Sequence, residues 1–505
     1  MWRQTKKIVP AAVMASMLAV TGCSTGGNSE SGNEQAAIKV MYYDEGSFFR
    51  EYGMLFSALF PEIEIEVAST QSLYRNRGEG DEEFDYEKAL QEFIDQEKPD
   101  ILMLESSQFE KMAQDGKLYD IEALMTKDKF DTEGLVPGMV DYMKELGGGQ
   151  LYGMPTSFSS QVIYYNKDLF DKYNLQPPTD GMTWDQVIQL AQMFPTEGEG
   201  EERVYGMSLG YRSNLQDLAM MLGASEGLKY VIPTSKQVTF NTDAWKNIVT
   251  KAHSAIQSGA LYDESKDTLL QNQGNNMMYN HYALRNPFVS GRAAMTLEGS
   301  HFIREMKDAK EYGGDDAKVV ENWDIVTTPV SVQNPDSSDS TWYSNILSIA
   351  KDSPNADAAW KLISYISSDE YARVKSKVID YGGFPIRTKY IKDEEGRNFA
   401  AFYKLKPSRQ DMYKDYDKLP QQFNMMFYDH MRTEFEAITN GTKSVEEALE
   451  LLQVKGEELI AQEDMTEEEM QKYYEEKYKD ERNALREAAG EVIVEEEAAE
   501  TVTVE

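Results

Sequence analysis

Three short polar stretches early in the chain have the residue types that bind a hydroxyl-rich compound. Carboxylates accept hydrogen bonds from hydroxyl groups, and serine hydroxyls both donate and accept them. The stretches are Tyr43-Asp44-Glu45, Ser69-Thr70-Gln71 and Glu105-Ser106-Ser107. The same residue types begin helices and fill turns, so a capping role is the alternative, and for the serines it is the more common one.

A β-strand pattern precedes each of these stretches. Residues 38–43 and 63–67 alternate between apolar and polar side chains, and residues 101–104 form a continuous apolar run. The glutamates between residues 62 and 66 predict a solvent-facing side and a position near a sheet edge. Apolar residues at helical spacing fill the intervals 48–60 and 86–94. This order of elements predicts an α/β sheet with parallel strands, and ligands of such sheets lie beyond the carboxyl ends of the strands.

The beginning of the chain has the composition of an export signal followed by a tether. Basic residues precede an apolar run at 8–20 that is shorter than the about 20 residues needed to span a bilayer. Cys23 is the only cysteine, and the Val20-Thr21-Gly22 before it resembles a bacterial lipobox. We therefore expect a lipoprotein signal peptide at residues 1–22, two acyl chains anchoring Cys23, and a flexible tether over residues 23–37.

The bulk composition limits the class of partner. The 505 residues carry a formal net charge of -36, so the protein repels phosphate backbones and we expect no nucleic-acid partner. A single cysteine excludes an internal disulfide framework, and the length suffices for at least two domains. The four histidines have the spacing of no metal site or catalytic triad, and no P-loop is present. We predict neither a cofactor nor a metal.

Residues 151–170 predict a connection between two parts of the fold. The glycines at 147–149 free the backbone, Pro155 stiffens it, and a polar loop at 156–160 precedes a β-rich run at 162–165. The alternative is an ordinary loop and hairpin inside one domain.

Motifs spread along the chain resemble those of the extracellular solute-binding proteins that include the maltodextrin-binding proteins of ABC importers. In order they are Tyr-Gly-Met-Pro at 152–155, Tyr-Tyr-Asn-Lys-Asp-Leu-Phe at 164–170, Thr-Trp-Asp at 183–185, Phe-Val-Ser-Gly-Arg-Ala-Ala-Met at 288–295 with Glu298-Gly299, Thr328-Pro329, the run at 352–360 and Gly-Phe-Pro at 383–385. The resemblance covers residues 38 to about 460. Where this family often has a tryptophan after Glu298-Gly299, this chain has Ser300-His301-Phe302.

The resemblance implies an α/β, two-lobed periplasmic-binding-protein-like fold of type II. Crossover hinge strands join the lobes, which close on a solute in the cleft between them. The first lobe would comprise residues 38–155 and 329–366, and the second lobe residues 156–328 and 367–463. An extra C-terminal helix at 464–489 and an acidic, disordered tail at 490–505 complete the predicted organisation.

The resemblance also implies which side chains face the ligand. Trp342 and Tyr343 lie where relatives stack an aromatic ring on a sugar, although packing in the core is the alternative for such residues. Arg212 could bind adjacent hydroxyls or the carboxylate of an acidic sugar, or it could form a surface salt bridge. The predicted ligand-binding set is Tyr43, Asp44, Glu45, Glu105, Ser106, Phe158, Ser159, Ser160, Tyr211, Arg212, Glu298, His301, Phe302, Trp342 and Tyr343.

These expectations combine into one predicted function with two alternatives. We predict a monomeric solute-binding protein, lipid-anchored on the extracellular face of a Gram-positive-like cell membrane, without catalytic activity. It would capture a sugar or oligosaccharide and deliver it to the transmembrane subunits of an ABC permease. One alternative is a surface lipoprotein that hydrolyses glycosides with carboxylates of the cleft. The other is a surface lipoprotein that binds a partner or a sensor without transport.

Overall fold

A computed structural model of the chain describes residues 36–75, 86–210, 214–263, 266–267, 286–312, 318–377, 383–393, 395–408, 415–466, 469–470 and 472–473. The predicted signal peptide, the predicted acylation site Cys23, the predicted ligand residues Tyr211 and Arg212, and the acidic tail lie outside these ranges.

Strands and helices alternate through most of the described chain, as expected of an α/β protein. The strands are β1 (Ala36–Tyr42), β2 (Ile63–Ser69), β3 (Ile101–Leu104), β4 (Gly153–Asn166), β5 (Tyr205–Ser208), β6 (Val231–Ile232), β7 (Gln237–Val238), β8 (Ala293–Gly299), β9 (Trp323–Thr327), β10 (Ser337–Ser338), β11 (Thr341–Ile349), β12 (Phe384–Pro385) and β13 (Lys406–Pro407).

The helices vary from one turn to nearly five turns in length. They are α1 (Glu45–Phe48), α2 (Met54–Leu59), α3 (Gln71–Arg75), α4 (Tyr86–Glu97), α5 (Ser106–Gln114), α6 (Glu122–Lys127), α7 (Met139–Leu146), α8 (Lys167–Lys172), α9 (Trp184–Ala191), α10 (Leu215–Ser225), α11 (Asp243–Gln257), α12 (Phe302–Tyr312), α13 (Ala356–Ile366), α14 (Asp369–Lys375), α15 (Phe423–Thr439) and α16 (Val445–Ile460). A π-helical turn, Phe49–Gly53, joins α1 to α2. None of the helices in the described ranges is long and apolar enough to cross a bilayer.

One large mixed sheet runs through both predicted lobes. Its strand order is β2-β1-β3-β11-β4-β8-β5, and β9 and β12 also pair with β4. The strands β1, β2 and β3 are parallel, as are β5 and β8, whereas β4 and β11 run antiparallel to their neighbours. The glutamate-rich β2 lies at the edge of the sheet, and the apolar β3 lies inside it, as their sequence patterns predict.

The long strand β4 changes partners halfway along its length. It pairs with β11 up to Ser160 and with β8 from Gln161 onward. The polar loop predicted at 156–160 is therefore wrong, because the ladder with β11 satisfies the backbone of these residues as a continuous strand. The change of partner also lies beyond Pro155, where the first crossing is predicted.

Buried apolar side chains form two clusters. One cluster gathers β1, β3, β11, α5, α7 and α13, and continues across β4 to side chains of β9 and α12 in the predicted second lobe, among them Trp323 and Phe302. The other is built from α8 to α11 with α15 and α16, around the fully buried rings of Phe240 and Trp245. A capping box, which the Ser444-to-Glu447 spacing in the sequence predicts, begins α16, with Glu447 N–H donating to Ser444 Oγ at 3.2 Å.

The chain stays with the first lobe beyond the predicted change at residue 366. In α14, the Tyr371 hydroxyl donates to the Glu51 carbonyl at 3.2 Å. The strand β12 pairs with β4 at Ser157 and Phe158, and Arg387 donates to the Asp131 carbonyl at 2.7 Å. These contacts favour a later boundary, whereas the other predicted boundaries stay predictions.

Candidate ligand-binding site

The carboxyl end of β1 presents Tyr43, Asp44 and Glu45 at the start of α1. Tyr43 is half exposed, and Glu45 is exposed. Asp44 caps the helix by accepting a hydrogen bond from Ser47 N–H at 2.9 Å, and this bond holds the pKa of its carboxyl below the ordinary value. The Ser69 hydroxyl donates to the Tyr43 carbonyl at 2.9 Å, so the ends of β1 and β2 are joined. Asp44 therefore has the capping role that the sequence left open.

The carboxyl end of β3 lies against the start of β11. Glu105 is exposed at the start of α5, where its N–H donates to Gln108 Oε1 at 3.0 Å. The Ser106 hydroxyl donates to the Tyr343 carbonyl at 3.4 Å. Residues that lie far apart in the sequence, around 105 and around 342, thus form one surface.

Trp342 and Ser159 lie directly opposite each other on β11 and β4. The Trp342 side chain is 41% exposed, and Ser159 is half-buried. Successive residues of a strand point to opposite faces. Phe158 and Tyr343, which also pair, therefore point to the other face, where their ring centroids are 6.3 Å apart. Of these three aromatic residues, Trp342 is the one that a ligand can reach.

Three aromatic residues of the predicted set lie in the core instead of on the surface. Phe158 and Phe302 are fully buried, and Tyr343 is 4% exposed. The ring of Phe302 packs against Tyr164 at 5.1 Å, and the ring of Tyr343 packs against Tyr142 at 5.5 Å. This burial argues against ligand contact by these rings, because exposing any of them would cost apolar burial.

Glu298 is a buried acid at the end of β8. Its side chain accepts a hydrogen bond from Asn286 Nδ2 at 3.4 Å, and the backbone of Gly210 packs so closely that a Cβ there would lie 2.7 Å from Glu298 Oε1. Burial, assisted by the negative charge of Glu305, raises the pKa of Glu298 to about 8. At neutral pH this carboxyl is mostly protonated, so it can donate as well as accept a hydrogen bond.

His301 is the exposed neighbour of this acid. Its Nε2 lies 3.9 Å from Glu298 Oε2 and 3.7 Å from Glu305 Oε1. Gly299, between Glu298 and His301, pairs with Gln161 of β4, two residues beyond Ser159. Ser160 is buried and accepts a hydrogen bond from Thr341 Oγ1 at 3.3 Å. The sheet thus brings residues from both predicted lobes to the place where β4 changes partners.

Three residues at this place have no signal in the sequence. The Tyr52 hydroxyl lies 3.3 Å from Thr156 Oγ1. Burial raises the pKa of Tyr52, and the nearby Asn345 side chain offsets part of this rise. Asn345 has a left-handed backbone, with φ of 53°.

Within the described ranges, no group of three or more His, Cys, Asp or Glu side chains is arranged to hold a metal ion.

One protein-family model matches most of the chain. The family model of the bacterial extracellular solute-binding proteins matches residues 33–373. Among curated proteins, the sn-glycerol-3-phosphate-binding periplasmic protein UgpB of Salmonella typhi is 32% identical over 87 residues, which is 17% of this chain and 18% of that protein. UgpB of Rhizobium meliloti is 33% identical over 89 residues, 17% of this chain and 20% of that protein. The match spans a fifth or less of these relatives.

Solved structures with the same fold cover most of the chain. A sugar transporter of Rhizobium etli, in an open conformation, superimposes with a TM-score of 0.58 at 20% identity, over 84% of this chain and 100% of the other. The sugar-binding protein MalE of Xanthomonas citri gives a TM-score of 0.54 at 18% identity, over 84% of this chain and 98% of the other. The predicted two-lobed α/β fold is confirmed.

Proposed function

Because this chain belongs to the family of bacterial extracellular solute-binding proteins, we propose that its solute is a carbohydrate. The protein captures this carbohydrate between its lobes and delivers it to the transmembrane subunits of an ABC importer. The relatives described above are named for sugars or for glycerol phosphate, which all have hydroxyl groups on neighbouring carbon atoms. Membership of the family places the protein outside the cytoplasm.

The exposed indole of Trp342 is the observation that carries this proposal. A sugar ring presents CH groups on one face, which pack against an aromatic ring, while its edge presents hydroxyls. Ser159 lies opposite Trp342, and Ser106 joins the end of β3 to the neighbouring Tyr343. Further groups that accept hydrogen bonds from sugar hydroxyls are Glu105 and, at the end of β1, Tyr43 and Glu45. This combination fits a neutral polyhydroxyl ring.

Closure brings the second lobe onto the bound sugar. β4 runs without interruption through both lobes and is one crossover strand, and residues 328–340 lead from β9 back to β11. Glu298 and His301 flank Gly299, which pairs with β4 at the change of partner. In the closed state they hydrogen-bond the hydroxyls that face away from Trp342.

Anchoring keeps the protein beside its permease. We propose that Cys23 carries the lipid anchor on the extracellular face of the membrane and that the protein acts as a monomer without cofactor or catalytic activity.

A protonated Glu298 is also what a glycosidase needs as general acid. Release of new reducing ends from an oligosaccharide would favour that alternative over transport.

A thermal-shift screen of the soluble form, lacking residues 1–23, tests the proposal. Mono-, di- and trisaccharides are compared with sn-glycerol 3-phosphate, each over a range of concentrations. A true ligand at 100 times its dissociation constant stabilises the protein by about 2.7 kcal/mol. A rise in melting temperature with a neutral sugar supports the proposal. A rise with sn-glycerol 3-phosphate alone would show that the solute is a phosphate ester and not a neutral sugar.

Replacement of Trp342 by alanine tests the residue that carries the proposal. We expect the affinity for the sugar to fall at least about tenfold, equal to about 1.4 kcal/mol. Tyr312→Ala is the matched control, because Tyr312 is also exposed, at 59%, and lies at the far end of α12. Equal affinities of the two variants, measured by calorimetry, would show that the sugar does not bind against Trp342.

A further inference from the structure

The strand β11 loses one of its two neighbours at Asn345. Residues 346–349 pair with both β3 and β4, and the pairing with β3 begins at Ile346 opposite Leu104. Within the described strands, residues 341–344 pair with β4 alone. Beyond the end of β3, the Ser106 hydroxyl contacts this segment through the Tyr343 carbonyl. The backbone of the segment 341–344, which contains Trp342, is therefore not fixed by hydrogen bonds to β3, and its direction relative to β3 can differ from that of residues 346–349.

A left-handed backbone marks the point where this direction changes. Asn345 has a φ of 53°, although the flanking residues are extended strand. L-residues avoid this region, and asparagine enters it more readily than most. A residue with extended backbone here would continue β11 straight on, beside the end of β3. The conformation persists only where surrounding contacts impose it.

Two buried hydroxyls lie beside it. The Asn345 side chain interacts with the Tyr52 hydroxyl, and this hydroxyl lies 3.3 Å from Oγ1 of Thr156. Thr156 lies opposite Asn345 on β4, between the pairs formed by residues 157 and 155. Tyr52 is 4% exposed and Thr156 is 5% exposed, so water does not replace these bonds if one partner is lost.

Tyr52 is itself fixed by an irregular element. It lies in the π-helical turn Phe49–Gly53, and such turns occur frequently at functional sites. Its ring stacks on Tyr371 at 6.0 Å and meets Tyr42 edge-on at 5.9 Å. Tyr42 is the last residue of β1, next to Tyr43. The contacts of Tyr52 thus connect the β1 end, the crossover strand β4 and the Trp342 segment.

We propose that Tyr52, Thr156 and Asn345, the hinge trio, are positioning residues that set the separation between Trp342 and the end of β3. This separation decides the size of the sugar that fits between the Trp342 ring and Glu105. The statement on sugar size rests on the proposed function, whereas the position of Trp342 can be measured without any ligand.

Acrylamide quenching of tryptophan fluorescence measures the exposure of Trp342 in the ligand-free protein. Among the described tryptophans, Trp342 is 41% exposed and the other four are at most 7% exposed. The quenchable fraction of the soluble form therefore reports mainly on Trp342, and a Trp342→Phe variant gives the background. Circular dichroism verifies that each variant is folded.

The variants separate the backbone from the side chain. Asn345→Val favours an extended backbone and should lower the quenching constant at least twofold, because residues 341–344 then move toward β3. Asn345→Gly keeps the left-handed backbone accessible and should restore most of the quenching. Tyr52→Phe removes only the hydroxyl and should raise the quenching, because the segment is held less firmly.

Asn174→Val is the matched control, because Asn174 is also an asparagine with a left-handed backbone, at φ of 55°, and follows α8 in the second lobe. It should lower the melting temperature without changing the quenching. Equal quenching in wild type, Asn345→Val and Tyr52→Phe would overturn the proposal.

Maltose and maltotriose, titrated by calorimetry, test the effect on sugar size. The ratio of their two dissociation constants should change at least threefold in Asn345→Val and stay constant in Asn174→Val. A changed quenching constant with an unchanged ratio would overturn the role in specificity. If the wild type binds neither sugar, the proposed ligand class fails for these sugars, and the quenching result still decides whether the hinge trio positions Trp342.

Discussion

Replacing Glu298 by glutamine should stabilise the ligand-free protein at alkaline pH and leave it nearly unchanged at acid pH. The carboxyl is 5% exposed and is packed against the backbone of Gly210. Desolvation, with a smaller contribution from the charge of Glu305, raises its pKa from 4.5 to about 8. Glutamine has the same shape and cannot ionise, so it removes the cost of a buried charge and little else.

The sign and size of the change in stability follow from the pKa of Glu298 in the unfolded chain, 4.5, and in the folded protein, about 8. Between pH 4.5 and pH 8 the folded protein holds a proton that the unfolded chain has released, so stability falls as the pH rises through this window. The slope reaches about 1.4 kcal/mol per pH unit. Between pH 5 and pH 9 the free energy of unfolding of the wild type therefore falls by about 4 kcal/mol, whereas that of the variant does not fall for this reason. In a protein of this length, this loss lowers the melting temperature by about 4 °C.

Calorimetric melting from pH 5 to pH 9 measures this difference. The melting temperature of Glu298→Gln minus that of the wild type should rise by about 4 °C across this range. Glu64→Gln, in the exposed edge strand β2, is the matched control and should give a constant difference. If the curves of Glu298→Gln and wild type run parallel, Glu298 is ionised in the folded protein and cannot act as a hydrogen-bond donor toward the ligand.

Two further predictions concern the packing of the site and the anchor. Gly210→Ala should lower the melting temperature more than Gly227→Ala, because both glycines have φ of 71° but only at Gly210 would a Cβ meet a neighbouring side chain; equal losses would refute the contact. Cys23→Ser should move the full-length protein from the detergent phase to the aqueous phase after phase separation, whereas Ser24→Ala should not; retention of Cys23→Ser in the detergent phase would refute the lipid anchor.

Much of the fold could be predicted because it depends on local patterns. The glutamate alternation of β2 places it at the sheet edge, and the apolar run of β3 places it inside. The capping box at Ser444 marks the start of α16 because its two hydrogen bonds involve residues three apart. Each of these features needs only information within a few neighbouring residues.

The strand ends that form the candidate site could also be predicted, but the orientation of their side chains could not. Strand ends are recognisable, so the neighbourhoods of Asp44, Glu105 and Trp342 could be named. Which face a residue occupies depends on the pairing register. A shift by one residue would exchange Phe158 with Ser159 and Tyr343 with Trp342. The sequence alone does not set that register.

The hinge trio lies beyond sequence reasoning for a different reason. Tyr52 reads as an ordinary apolar position of a helix, and no pattern signals the π-helical turn in which it lies. Asn345 adopts its left-handed conformation beside Tyr52 and opposite Thr156, which are far away in the sequence. Likewise, the attachment of α14 to the first lobe depends on the stacking of Tyr371 with Tyr52.

Calorimetric titration of the soluble form with the sugar that gives the largest thermal shift tests the central claim most directly. We expect one sugar bound per chain, a dissociation constant in the micromolar range and a tenfold or greater loss of affinity in Trp342→Ala. Saturable binding of sn-glycerol 3-phosphate, together with no heat from any neutral sugar, would contradict the claim that this protein carries a neutral carbohydrate.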